Sequence, residues 1–347
     1  MTEKDAHLRQ LHDDIVDYSQ TVIALLAFAA LITHERESVR ENAEFGIGRR
    51  MTTSSMNMVK QKSDVHPDLV AQKSFSYGIV AETKKSLHRE RLQWARHLER
   101  LRKYDDQLIG WWTPTESIDH SDTIMLIHQS RGRQFTDFLK EEKDRDPSTV
   151  GPTTCVVEFT HSVETEDYFF LRLEHGTIQD KELSKQLSEG TPVPLDDIMR
   201  SFPNIRYYDA PPPIVLLLEH LWTDYFPAMR SNATYDEKNK VWKIMASVSR
   251  TTEEFKKAYG SGALQKDARS VEFPTTKWIR EAFDRLVKYK MAFPPSDGSD
   301  NYIIFFKPFR IDVRRRFLTL EIRKSVRRAP RDSKQLRLVP LQEDQEE

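Results

Sequence analysis

Cysteine is almost missing. Cys155 is the single one in 347 residues, which excludes a disulfide framework and any cysteine-built zinc site. It stands in the apolar run Cys155-Val156-Val157, the setting of a buried small residue rather than of a nucleophile. An excess of charge of either sign is missing too. Lysine and arginine number 53 against 54 aspartates and glutamates, a net charge of −1. Whole-chain charge therefore does not mark a nucleic-acid binder, and any basic surface has to be local. No phosphate-cradling glycine loop, serine–histidine–acid order or His-Glu-x-x-His helix occurs. His34, His66 and His97 lack the paired spacing of metal ligands and read as structural or exposed. No signal peptide precedes the first helix, which already carries Asp13, Asp14 and Asp17. The apolar run from Thr21 to Ile32 is shorter than a bilayer span and reads as a buried core helix. A soluble, cytoplasmic chain without membrane contact is expected.

What is present is an α/β pattern. Residues 5–44 read as one long helix or two joined ones, followed by strand-like pieces near 46–53, 65–72 and 77–83. A helix is expected over 86–108, a buried strand over 122–128, a helix over 133–143, and strands over 154–160 and 168–173. From Gly176 to Pro213 the periodicity weakens under Gly190, Pro192, Pro194, Pro203 and Pro211-Pro212-Pro213, which places a linker there. Beyond it, helices are expected over 214–226, 251–259 and 276–290, a strand or helix over 241–248, and a strand over 301–307. Helices followed by a β-hairpin suggest an α+β, winged-helix-like module.

The most specific feature lies in the first hairpin. His66-Pro67-Asp68-Leu69-Val70-Ala71 and Tyr77-Gly78-Ile79-Val80-Ala81-Glu82 are both rich in strand formers. A hairpin centred on Phe75 sets Asp68 directly opposite Glu82, with Cβ atoms roughly 5 Å apart, and Lys84 projects from the same face. Facing carboxylates destabilise a sheet unless a cation compensates them, and Mg2+ suits carboxylate oxygens. A slip of one residue would send the two acids to opposite faces. Other acid-x-Lys strings, such as Glu141–Lys143 and Glu254–Lys256, neither end an apolar strand nor follow a Pro-Asp pair.

Pro67-Asp68 with Glu82-Thr83-Lys84 resembles the signature of the PD-(D/E)xK nuclease superfamily, over roughly residues 10–175. The resemblance implies a restriction-endonuclease-like mixed sheet flanked by helices and a metal-dependent phosphodiesterase whose products carry a 5′-phosphate. It implies that Asp68 and Glu82 ligate Mg2+ (or Mn2+), that Asp68, Glu82 and Lys84 are catalytic, and that an acid from the preceding helix assists. Glu37, Glu41 and Glu44 share one helical face, and Glu41 is the choice for that auxiliary ligand. Some exonuclease branches carry Gln-x-x-x-Tyr on the next helix; here Arg100 precedes Tyr104, so that motif is not met.

Nucleic-acid contacts are expected from Arg89, Gln93, Arg96, Arg100 and Lys103, a stripe without an acid, and from Lys277 and Arg280 on the C-terminal helix. The expected organisation is a nuclease-like domain over 1–176, a linker over 177–213, the winged-helix-like domain over 214–325 and a disordered tail over 326–347. The expected function is cleavage of DNA, with RNA an alternative substrate, in restriction or genome defence, with protein partners engaged through the C-terminal domain. Two other readings stay open: a catalytically silent DNA-binding or regulatory protein on the same scaffold, and a plain interaction protein.

Overall fold

The computed structural model describes residues 3–34, 47–48, 68–72, 77–84, 91–107, 120–147, 150, 154–161, 167–202, 205–207, 211–259, 274–295, 299–309 and 312–328. Glu41, His66, Pro67, Arg89 and residues 329–347 lie outside them. The chain is mixed α/β. Helix α1 (Glu3–His34) is followed by β1 (Ile47–Gly48), β2 (Leu69–Gln72), β3 (Tyr77–Lys84), α2 (Arg91–Gln107), β4 (His120–His128), α3 (Gln129–Arg145), β5 (Thr154–His161), β6 (Tyr168–His175), α4 (Lys181–Glu189), β7 (Thr191–Pro194) and α5 (Leu195–Ser201). Among the described residues β1 to β7 make one sheet in chain order. The neighbours β3, β4 and β5 run parallel, and the flanking pairs run antiparallel.

Parallel neighbours need a crossover, and α2 and α3 supply the two. Both crossovers step the same way along the sheet, so a common hand puts both helices on one face. That face buries Val80, Met125, Ile127 and Val156 beneath Trp94, Leu98, Leu101, Phe135, Phe138 and Leu139. The alternate residues Ile79, Ala81, Ile124, Leu126, Cys155 and Val157 point the other way, into a core shared with α1. Strands buried on both faces read as continuous apolar runs, as these do. Helix α1 lies between that face and helices α5 and α10 (Val313–Arg328). Being covered on several sides accounts for its unbroken apolar stretch, buried from Thr21 to Ile32 except for half-buried Ile23. The helix over Asp5–Ile32 is long and apolar enough, by length and composition, to cross a membrane, unlike the shorter run considered alone.

Helix α3 approaches β5 closely through Gly132. A Cβ at that position would fall 1.9 Å from Glu158 Oε1 and 2.5 Å from its Cδ. Glu158 is buried and accepts a 2.9 Å hydrogen bond from Arg172 on β6, so it has little room to withdraw. Alanine in a helix interior ordinarily gains about 1 kcal/mol over glycine. Here Gly132→Ala is expected to lose about 1–3 kcal/mol instead, through displacement of the buried carboxylate. Urea unfolding of Gly132→Ala, alone and combined with Glu158→Ala, checks this. The second change should remove the penalty; an equally unstable double variant would rule the steric cause out.

Residues 177–213, expected to be a linker, instead hold α4, β7 and α5, and β7 is hydrogen-bonded to β6 as the last strand of the sheet. The punctuating residues carry other meanings. Gly190 closes α4 at a φ of 82°, and Pro192 and Pro194 sit on an edge strand, where a missing N–H is tolerated. Pro213 stands just before α6 (Ile214–His220). That helix continues through a wide turn (Leu221–Tyr225) into α7 (Phe226–Ala228) ahead of β8 (Thr234–Asp236), β9 (Val241–Ser247) and α8 (Val248–Tyr259). Helix α9 (Thr276–Lys288), β10 (Ala292–Phe293) and β11 (Asn301–Phe306) precede α10. The β10–β11 hairpin extends through β9 to β8, giving a four-stranded antiparallel sheet. Helix α10 was not anticipated; it runs to Arg328, so residues 326–328, expected in the disordered tail, are helical.

Candidate metal and phosphodiester site

The register places the acids as the sequence predicts. Leu69 pairs with Ala81 and Ala71 with Ile79, so Asp68, one residue before β2, stands opposite Glu82. The backbone N–H of Thr83 donates to Asp68 Oδ2 at 2.9 Å and fixes that carboxylate at the strand end. Val80, Glu82 and Lys84 alternate onto the face covered by α2 and α3. The Lys84 Nζ lies 3.3 Å from Glu82 Oε2 and 4.0 Å from Asp68 Oδ2. Both carboxylates are buried, at 4 % and 2 % exposure, while the Lys84 side chain keeps 22 %. Burial alone would push the Lys84 ammonium down. The two carboxylates outweigh it and hold Lys84 above the usual lysine range, against a smaller opposing push from Arg100.

The arrangement shows that this pair holds a cation. In the structure the cation is the Lys84 ammonium. A divalent ion finds carboxylate oxygens from adjacent strands there, and Mg2+ characteristically uses one or two carboxylates and leaves its remaining positions to water and phosphate. Among the described residues no cluster of three or more histidine, cysteine, aspartate or glutamate side chains forms a closed metal cage. Two carboxylates on adjacent strands would suit an open, hydrated hard cation.

Two residues join this face without having been expected. His97 on α2 is half-buried on the flank of the Trp94–Leu98–Leu101 stripe. Burial, and then the Lys84 and Arg100 cations, push its imidazole down to about 4. Glu158 occupies the same sheet row as Lys84 and Ile127; burial raises its carboxyl against the opposing bond from Arg172. Neither carries a spacing signal, because each is brought here by helix packing or by parallel pairing.

Of the expected nucleic-acid contacts, Arg96 and Arg100 are exposed on α2, and Lys103 lies on the same helix. Lys277 and Arg280 are exposed at the start of α9, beside the second sheet rather than on the first. Cys155 is buried, as expected, and burial pushes its thiol up to about 12, away from the thiolate form a nucleophile needs. A further buried acid, Asp122, lies at the other end and on the other face of the parallel strands. It is held there by Tyr77 Oη at 2.5 Å and the Gln179 N–H at 2.8 Å. No protein-family model, curated protein or solved structure matches this chain.

Proposed function

We propose that the chain is a Mg2+- or Mn2+-dependent nuclease that hydrolyses DNA phosphodiester bonds. On this reading its sheet with α1 to α3 is a PD-(D/E)xK, restriction-endonuclease-like unit, and the C-terminal helices with the β10–β11 hairpin are winged-helix-like. The observation that carries the reading is the apposition of buried Asp68 and Glu82 around Lys84 at a strand end. Asp68 and Glu82 would hold the ion, which would neutralise phosphate charge and ease deprotonation of water. Lys84 then faces the phosphate and stabilises the charge that builds on it during in-line attack. Arg96, Arg100 and Lys103 on α2, with Arg89 before it, contact the nucleic-acid backbone. Lys277 and Arg280 extend that contact from the C-terminal unit, which also offers a surface to protein partners. A restriction or genome-defence role fits such an enzyme.

The test is cleavage of plasmid and linear DNA, with RNA in parallel, in Mg2+ or Mn2+. Glu82→Ala and Lys84→Ala are expected to lose about 10²–10³ in rate each, while in the metal-containing buffer both stay folded and bind DNA. Equal activity in all three proteins would remove these residues from the chemistry. A second reading is favoured by one observation: Lys84 already bridges both carboxylates. A silent DNA-binding scaffold would bind in EDTA and cut nothing in either metal.

A further inference from the structure

Basic residues collect where β11 runs on towards α10. Of the ten residues from Lys307 to Arg316, five are basic and one, Asp312, is acidic, in a chain whose charges balance as a whole. Arg310 of that run lies outside the described residues. The start of the run is clamped by Trp222. Its indole N–H donates to the Lys307 carbonyl at 3.1 Å, and its ring stacks on Phe309 at 5.0 Å. Phe306 and Phe317 pack on the same indole at 5.1 and 5.7 Å. Guanidinium groups rim this aromatic cluster. Arg230 lies over Phe306 and Arg316 over Phe309, each 5.9 Å from the ring centre, which is cation–π range. Arg230, Lys307 and Arg315 are exposed. The nearby acids are engaged elsewhere: Glu219 with Arg314 at 2.7 Å, and Asp312 Oδ1 with the Arg315 backbone N–H at 2.7 Å in the first turn of α10. Among the described residues Arg230, Lys307, Arg315 and Arg316 have no carboxylate within ion-pair distance, whereas Arg206, Lys243, Arg250 and Arg285 each have one.

We propose that this rim is a DNA-contacting surface: Arg230, Lys307 and Arg315 bind phosphates of a duplex backbone, and Arg316 on Phe309 supports them. Cations without an acid partner give up no ion pair when a phosphate arrives, and the guanidinium fork matches phosphate oxygens. The packing of α10 argues against a membrane as the polyanion. Its large apolar side chains Phe317, Leu318 and Ile322 are buried, which leaves no apolar wedge to enter a bilayer. Backbone contacts of this kind hold a duplex in place without reading its sequence. The inference rests on the nuclease reading only for the identity of the ligand as DNA. It needs neither metal nor cleavage, and it adds to Lys277 and Arg280 a contact at the exit of β11.

The test is binding of a fluorescein-labelled duplex of arbitrary sequence to the full chain, in EDTA so that nothing is cut, over about 50–200 mM KCl. Arg230→Gln/Lys307→Gln/Arg315→Gln keeps Arg316 and the aromatic cluster, and is expected to flatten the slope of log K against log salt by about 3. Lys181→Gln/Lys185→Gln/Arg200→Gln removes the same charge from exposed positions on α4 and α5 and is expected to leave the slope unchanged. Because all six sites are exposed both variants should stay folded, which urea midpoints check. An unchanged slope in the first variant overturns the surface, and equal flattening in both overturns it too, since net charge alone would then account for binding. Tighter binding to phosphatidylserine vesicles or to RNA than to the duplex overturns DNA as the occupant. Cleavage in Mg2+ separates this inference from the nuclease reading. A wild type that cuts DNA while the first variant keeps its slope sinks the surface alone; a flattened slope in a chain that cuts nothing supports the surface and sinks the nuclease reading.

Discussion

Replacing Lys84 with methionine will cost the fold roughly 3–5 kcal/mol in metal-free buffer, because it leaves two carboxylates buried and facing each other without their cation. Asp68 and Glu82 have almost no access to water, so solvent cannot take over the role of the ammonium. The loss should shrink when the acids are neutralised in the same chain: Asp68→Asn/Glu82→Gln/Lys84→Met is expected to recover most of it, since no buried charge is then left alone. Divalent cation should rescue the single variant in the same way. At about one hundred times its dissociation constant, Mg2+ would return about 2.7 kcal/mol. Urea unfolding with EDTA or Mg2+ reads all of this without any enzymatic assay. A Lys84→Met chain whose midpoint ignores Mg2+ would show that the carboxylates do not take a divalent ion, whatever the cleavage results say.

Acid will begin to destabilise the protein above the carboxylate range, and His220 is a principal reason. It is buried on α6, with its Nδ1 2.6 Å from Tyr207 Oη and its ring stacked on Tyr259. Burial pushes the Tyr207 hydroxyl far up, so it keeps its proton and shares one hydrogen bond with His220 Nδ1. Burial first, and then the Arg206 cation, push His220 down to about 4 from an ordinary 6.5. The unfolded chain thus takes up a proton between pH 6.5 and about 4 that the folded chain refuses. The stabilisation is complete above pH 6.5 and is lost as pH falls through that window, amounting to roughly 2–3 kcal/mol by pH 4.5. His97 titrates in the same window and adds to the slope. Unfolding free energies measured from pH 7.5 to 4.5 should fall less steeply in His220→Gln, which keeps an acceptor for Tyr207. An identical slope in the variant would assign the acid sensitivity elsewhere.

Local features were legible from the sequence, and non-local ones were not. Asp68 could be set opposite Glu82 because a hairpin's register follows from its centre and its period of two. Continuous apolar runs assigned β4 and β5, and the apolar stripe of Trp278, Ile279, Phe283 and Leu286 assigned α9. The Thr21–Ile32 run, read as a core helix, is buried on several sides in the fold. The stretch 177–213 misled because proline and glycine mark edge strands and helix ends as readily as linkers. His97 and Glu158 could not be found by spacing. One depends on which flank of α2 meets the sheet, the other on the parallel pairing of β4 with β5, and both are settled by contacts between elements far apart in the chain.

The position of α1 has a consequence for how the chain is made. It is made well before α10, which forms part of its cover. Roughly 280 residues separate the two, and at common rates of synthesis that interval is on the order of half a minute. For that time an apolar helix, able by composition to enter a bilayer, waits with one side uncovered. Nascent chains stalled or cut short before α10 would expose that side permanently, which makes α10 a seal on α1.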